Sequence, residues 1–211
     1  MNVDSDVSEI FHTLSEIFKP PEESFAGQLF SSRVKIALDG WARKAGFDLD
    51  CPAVPEGAAV DESSFFSAMS REYFSIFEGP MSPFTPLIES VHKPWDKSGQ
   101  SSLGPQTGYF FGDPAIDMMS RFTQARMEIP GDYSHAPDHL CLLLEYYAMM
   151  GGDFSAGARQ EFLAGHFDWL GQVWEEVTSN PSALIYPPML KYAMGIIAAE
   201  TARVSGLAGG L

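Results

Sequence analysis

The apolar residues of this chain repeat at intervals of three and four along most of its length, and this spacing limits the folds open to it. Near the N-terminus the repeat consists of Val7, Ile10, Phe11, Leu14 and Phe18. Such spacing gathers apolar side chains on one face of an α-helix, whereas the strict alternation typical of a half-buried strand is found nowhere. We therefore predict an all-α fold, a single bundle of six or more helices.

Proline and glycine residues divide the rest of the sequence into further predicted helices. These cover residues 22–47, 61–77, 113–127, 137–150, 155–178 and 181–206, with a short turn at 88–92. Residues 79–108 hold five prolines and four glycines together with large apolar side chains, which is typical of a functional segment or one lying over the core. We expect one domain over 1–211, with an N-terminal half 1–128, a hinge 129–136 and a C-terminal half 137–211.

The charge of the chain is strongly negative. Its 13 basic and 28 acidic residues give a net charge of −15. Nine of the acids but only one base, Arg159, lie between Glu128 and Glu176. Such a field repels nucleic acids and anionic membranes and attracts cations, although acid also serves solubility alone. We expect a cationic partner, no nucleic acid and no membrane insertion.

The two cysteines, Cys51 and Cys141, form no disulfide framework and no metal-binding spacing. Cys141 lies in a very apolar stretch and is expected in the core. The acidic N-terminus lacks the apolar core of a signal peptide, and no uncharged run is long enough to span a bilayer. These features predict a cytoplasmic protein.

The segment from Ala136 to Leu140 reads Ala-Pro-Asp-His-Leu and leads into an almost wholly apolar helix. Proline suits the first helical turn, and an acid there faces the positive end of the helix dipole. Local chemistry thus accounts for Pro137 and Asp138. It does not account for His139, because an imidazole favours the other end of a helix. His139 therefore needs a polar partner or a functional role.

Enzyme motifs are missing from the sequence. His139, Glu145 and His166 are candidate metal ligands, but His139 and Glu145 are six residues apart and would not share a helical face. There is no H-E-x-x-H pair, no G-x-S-x-G elbow and no phosphate-binding glycine loop. We expect no catalytic residue, no metal and no cofactor, with an all-α metalloenzyme as the weaker alternative.

Two aromatic stripes fit core packing as well as function. Tyr73, Ile76 and Phe77 form a helical stripe that Gly79-Pro80 ends. Further along, Phe162, His166 and Trp169 share one face at positions i, i+4 and i+7. Packing alone does not explain the Glu89-Ser90-Val91 segment that follows the proline-rich turn.

Taken in order, these segments resemble the TorD/DmsD/NarJ-type maturation chaperones of molybdenum-containing oxidoreductases. The resemblance rests on the aromatic-x-x-hydrophobic-Phe-x-Gly-Pro motif at 73–80, E-S-V at 89–91, G-Y-F-F-G-D-P-A at 108–115, P-D-H at 137–139 and F-x-x-x-H-x-x-W at 162–169. It covers roughly residues 60–200. Two features depart from the family pattern: His92 stands where an aromatic residue is common, and residues 121–128 lack the usual tyrosine and glycine.

The resemblance implies a cytoplasmic chaperone without catalytic turnover. Such proteins bind the twin-arginine signal peptide of a reductase precursor and hold the apoenzyme until its molybdopterin cofactor is inserted. The nitrate-reductase branch instead implies an assembly scaffold that binds a folded catalytic subunit. The hinge implies a monomer with some domain-swapped dimer.

The resemblance also implies which residues bind the leader or client. They are Tyr73, Ile76, Phe77, Gly79, Pro80, Glu89, Ser90, Asp138, His139 and Glu145, with His166 and Trp169 behind them. In this interpretation Asp138 accepts hydrogen bonds from a guanidinium and His139 is its hydrogen-bonding neighbour. The acidic segment 128–176 and the apolar loop 84–95 supply the acid and the groove that a leader with two arginines beside an apolar stretch requires.

Overall fold

The computed structural model describes residues 3–79, 84–96, 98, 105–150 and 153–208. The regular structure of these ranges is helical, and the predicted all-α fold is confirmed. The helices are α1 (Val3–Ile17), α2 (Glu23–Phe30), α3 (Arg33–Ala45), α4 (Glu62–Ile76), α5 (Glu89–His92), α6 (Asp113–Ala125), α7 (Leu140–Met150), α8 (Ala156–His166), α9 (Leu170–Thr178) and α10 (Tyr186–Ala208). A 3-10 turn covers Gly131–Tyr133.

The centre of the fold is α7, whose side chains are buried on nearly every face. It packs mainly against α1, which in turn packs against α3, while α10 lies against α8 and α9 and α2 lies against α4. Cys141 is fully buried in this core, as predicted, and both cysteines are free thiols. In the described part of the chain, no helix is long and apolar enough to cross a membrane.

The prediction of one helix over 22–47 is wrong. The chain breaks between α2 and α3 at Ser32, whose φ of 60° is left-handed. Just before it, the Ser31 hydroxyl donates to the Gly27 carbonyl at 2.8 Å. A short polar side chain that bonds the preceding turn competes with continued helix. The break lets α2 pack on α4 while α3 packs on α1.

The prediction of one helix over 155–178 is also wrong. The Trp169 indole donates to the His166 carbonyl at 2.7 Å, and the Lys93 ammonium donates to the Gly165 carbonyl. These donors satisfy carbonyls that a continued helix would have bonded itself. The chain therefore turns at residues 167–169 before α9 begins.

Two other helices begin later than predicted, at Leu140 rather than residue 137 and at Tyr186 rather than residue 181. Ahead of α10, the Glu72 carboxylate of α4 accepts hydrogen bonds from backbone N–H groups of residues 184–186. The hinge 129–136 contains the 3-10 turn. The division of the chain into two halves there, and a domain-swapped dimer, stay predictions.

Candidate functional site

The Pro-Asp-His and Glu-Ser-Val motifs lie side by side. Ile88 and His139 form an antiparallel bridge. The Leu140 N–H donates to the Leu87 carbonyl at 2.7 Å, and the Glu89 N–H donates to the Asp138 carbonyl at 3.1 Å. This backbone pairing is why α7 begins only at Leu140. Pro137 and Asp138 form a turn that the His139 N–H closes onto the Ala136 carbonyl at 3.1 Å, and His139 is bridged to a neighbouring segment.

The Asp138 side chain has no solvent-exposed surface. Its Oδ2 accepts from the Ser90 N–H at 2.7 Å and from the Ser90 hydroxyl, and the Gly112 N–H donates to that hydroxyl oxygen at 3.2 Å. Among the described residues, Oδ1 has no hydrogen-bond partner. Burial raises the pKa of this carboxyl even though the Ser90 bonds act to lower it. Asp138 thus ties together three of the sequence motifs, and its role as a guanidinium acceptor stays a prediction.

His139 has a local polar partner. Its carbonyl accepts from the N–H groups of Leu142 and Leu143, which is the position of an N-cap, and its Nδ1 accepts from the Cys141 N–H at 3.3 Å. The Cys141 thiol lies 3.0 Å from the same nitrogen. Burial, together with the nearby His135, lowers the pKa of His139 to about 3. The imidazole is therefore neutral at physiological pH.

This lowered pKa predicts a loss of stability in acid. A histidine whose pKa is lower in the folded than in the unfolded chain stabilises the fold fully above its unfolded pKa of about 6.5, and loses that effect as the pH falls. The unfolding free energy should fall as the pH is lowered from 6.5 towards the folded-state pKa of about 3, by at most about 1.4 kcal/mol per pH unit from this group. Urea denaturation of the wild type and of His139→Asn measures the difference. Equal pH slopes in the two proteins would contradict the assignment.

Glu89 is the centre of a second buried polar network. It is 1% exposed, and its two carboxylate oxygens lie 2.7 Å from Lys93 Nζ and 2.7 Å from His166 Nδ1. The other ring nitrogen of His166 lies 3.0 Å from Asp117 Oδ2. Burial alone would lower the pKa of His166, but Asp117 and Glu89 outweigh it and raise that pKa. Together with the Trp169 bond described above, this network joins α5, α6 and α8.

A cavity of about 630 Å³ opens beside these networks, where the ends of several elements meet. The end of α1, the end of α4, the segment 84–88, the hinge and Phe110 enclose it. Four aromatic rings line it: Phe77, Phe84, Phe110 and Tyr133. Its acidic side chains are Glu22, Glu78 and Asp132, and its basic side chains are Lys19, His135 and His139. The arrangement places acid beside an aromatic wall.

The predicted site residues are distributed around this cavity. Phe77, at the C-terminal end of α4, and His139 line it. Tyr73 and Ile76 are buried in α4 and do not line the cavity. Glu145 lies at 3.4 Å from Lys19, which lines the cavity. The remaining predicted residues take part in the two networks, except that Gly79 lies three residues beyond the end of α4 and Pro80 lies outside the described residues.

Several cavity residues were missed by the sequence analysis, namely Lys19, Glu22, Glu78, Phe110, Asp132, Tyr133 and His135. They lie close to the breakers that end helices, such as Pro20, Gly79 and Pro130. Such breakers mark where chain segments end, and functional residues favour those points. Which ends meet in space, however, has no counterpart in residue spacing.

The three candidate metal ligands have different partners. His139 bonds Cys141, Glu145 pairs with Lys19, and His166 lies between Glu89 and Asp117. Over the ranges that the structure describes, no group of three or more His, Cys, Asp or Glu side chains is placed to hold a metal ion. The geometry of the described residues does not support the metalloenzyme alternative.

The sequence around the site is similar to a known protein family. The family model for the nitrate reductase delta subunit matches residues 42–180, which include the cavity's aromatic residues and both polar networks. The chain belongs to this family. Its members are NarJ/TorD-type chaperones, so the resemblance to redox-enzyme maturation chaperones is confirmed. Membership indicates a chaperone of a molybdenum enzyme rather than a catalyst. No curated protein matches the sequence at a significant level.

Proposed function

We propose that this chain binds the twin-arginine leader, or the apo form, of a molybdopterin-containing oxidoreductase in the cytoplasm and assists cofactor insertion before export. The observation that carries the proposal is the cavity at the hinge, which combines exposed carboxylates with four aromatic rings. A leader with two arginines beside an apolar stretch has the complementary chemistry.

The cavity's carboxylates are available to a cation. Glu22, Glu78 and Asp132 are exposed, and none of them forms an ion pair with another residue in the described ranges. The ammonium of Lys19, in contrast, is already paired with Glu16 at 2.5 Å and with Glu145 at 3.4 Å. A guanidinium entering the cavity therefore meets unpaired negative charge, and the aromatic faces beside it add cation–π attraction.

Calorimetric titration with a synthetic twin-arginine leader tests this proposal. We expect wild-type protein to bind and the double variant Glu78→Gln/Asp132→Asn to bind about tenfold more weakly, a loss of about 1.4 kcal/mol, because two attractive charges are removed. Glu175→Gln, which removes an exposed acid that does not line the cavity, is the matched control and should bind like wild type.

The arginines themselves supply the second comparison. A leader in which both arginines are replaced by glutamine should bind the wild type weakly. Its affinity for the double variant should be the same as its affinity for the wild type. Absence of binding by the wild-type protein to several leaders, or equal binding of the arginine and glutamine peptides, would contradict the proposal.

A second candidate is an assembly scaffold that binds a folded catalytic subunit. The match to the nitrate reductase delta subunit model favours it. Size-exclusion chromatography with a folded, cofactor-loaded catalytic subunit that lacks its leader separates the two functions. A scaffold co-elutes with this subunit, and a chaperone that binds the leader or the apo form does not.

A further inference from the structure

Three consecutive aromatic residues are exposed, and the middle one lines the cavity. Tyr109, Phe110 and Phe111 are 41%, 50% and 38% exposed, and Phe110 lines the cavity itself. We call these three residues the aromatic shelf. Contiguous apolar surface of this kind marks interaction sites on proteins, because folding would otherwise bury it.

The main chain around the aromatic shelf is held in place by Trp95. The Trp95 N–H donates to the Gln106 carbonyl at 2.9 Å, and its indole donates to the Phe110 carbonyl at 3.0 Å. The Trp95 carbonyl accepts from the Asp113 N–H at 2.9 Å. Because these bonds use backbone atoms of the segment, they leave the shelf's rings free to face outward.

The backbone of the aromatic shelf is also strained. Phe111 has a φ of 66°, a left-handed conformation that is unfavourable for a bulky residue. A β-carbon on the next residue, Gly112, would lie 2.8 Å from the Trp95 carbonyl oxygen, so only glycine fits. Strain of this kind persists where the surroundings impose it, and it is concentrated at functional sites.

The buried motifs bond to the residue that follows Phe111. Asp138 accepts from Ser90, and the Ser90 hydroxyl oxygen accepts from the Gly112 N–H. The carboxylate of the Pro-Asp-His motif is thus linked through one serine to Gly112, the residue that follows the aromatic shelf. Ser90 is fully buried, as Asp138 is, so neither residue needs to contact a client to affect its binding.

We propose that the aromatic shelf binds the apolar stretch of the client leader while the cavity's carboxylates bind the adjacent arginines, and that Ser90 and Asp138 are positioning residues for the shelf. The inference rests on the proposed function and adds the orientation of the peptide. The orientation follows from charge: the unpaired acids Glu78 and Asp132 lie at the end of α4 and in the hinge, and the shelf approaches from the segment before α6. The two halves of the leader match these two surfaces in sign and polarity.

Two peptides and three proteins test the shelf. One peptide is a twin-arginine leader, and the other has its apolar stretch replaced by serine and asparagine. We expect Tyr109→Ser/Phe110→Ser to bind the full leader at least tenfold more weakly than wild type does, and to bind the polar peptide as wild type does. Phe74→Ser is the matched control, because Phe74 is 48% exposed and does not line the cavity.

A further pair of variants tests the positioning residues. Ser90→Ala should weaken binding of the full leader about fivefold but leave binding of the polar peptide unchanged, and Ser90→Thr, which keeps the hydroxyl, should restore it. The contribution of Trp95 to the fluorescence is obtained by subtracting the spectrum of the Trp95→Phe variant. This contribution should change in Ser90→Ala and should not change in Ser90→Thr. An equal loss for both peptides would show a general structural effect and overturn the positioning role.

The outcomes separate the two proposals. If wild type binds the full leader and Tyr109→Ser/Phe110→Ser binds it equally well, the aromatic shelf is not the apolar site and only this inference fails. If wild type binds neither peptide, the proposed leader-binding function fails and the inference fails with it.

Discussion

Glu89→Ala is expected to lower the free energy of unfolding by about 3–5 kcal/mol, the range typical of removing one partner from a buried ion pair. Glu89 is 1% exposed and contacts Lys93 and His166, whose side chains are also buried. Without the carboxylate, both groups keep the cost of desolvation and lose their most buried partner. Lys93 keeps its ion pair with the exposed Asp168, and His166 keeps Asp117, so the expected loss lies towards the lower end of this range. Equilibrium urea denaturation followed by circular dichroism measures the change.

Glu89→Gln provides the matched comparison. The amide keeps one acceptor oxygen and the shape of the side chain but removes the negative charge. The free energy of unfolding of Glu89→Gln should therefore lie between those of the wild type and Glu89→Ala. Glu175→Ala, an exposed acid, should change stability by no more than about 0.5 kcal/mol. A loss below about 1 kcal/mol in Glu89→Ala would contradict a central role for this network.

Glu72→Ala is expected to cost about 3 kcal/mol, since it removes a charged acceptor from three backbone donors. Glu72 accepts from the N–H groups of Leu184 at 3.0 Å, Ile185 at 2.8 Å and Tyr186 at 2.8 Å. These donors precede or begin α10 and would be left without partners. The same carboxylate holds α10 against α4, where the Tyr186 ring packs on Tyr73.

Hydrogen exchange distinguishes this local effect from general destabilisation. Relative to wild type, Glu72→Ala should increase the exchange rates of the amides of residues 184–186 more than those of α7, where the core is unchanged. Arg71→Ala is the control, because Arg71 is exposed on the same helix one residue earlier. Protection of residues 184–186 equal to that in wild type would show that Glu72 does not hold the start of α10.

The helices that could be predicted from sequence carry their information in neighbouring residues. The α1 repeat is local, and α4 begins where Asp61 and Ser64 form a capping box. The two wrong predictions, at 22–47 and 155–178, involve breaks without proline. The second break depends on Lys93, which is 72 residues away from Gly165 in sequence and so could not be found by spacing.

The candidate site shows the same division. The sequence motifs identified Asp138, Glu89 and His166 as significant, and the structure shows that they are joined to one another or to neighbouring motifs inside the protein. The aromatic shelf was part of a quoted motif, yet its exposure was not predicted. The spacing of apolar residues indicates which face of a helix is apolar. It does not indicate which apolar residues the fold leaves exposed.

By itself, the sequence determined the all-α fold and membership of the chaperone family, because helical periodicity and ordered motifs are properties of consecutive residues. Only the tertiary structure decided that Asp138 faces inward onto Ser90, 48 residues away, and that the ends of α1 and α4 meet the hinge around one cavity. The physical reason is that burial and hydrogen bonding depend on distance in space. Packing of the whole core sets that distance for residues far apart in the chain.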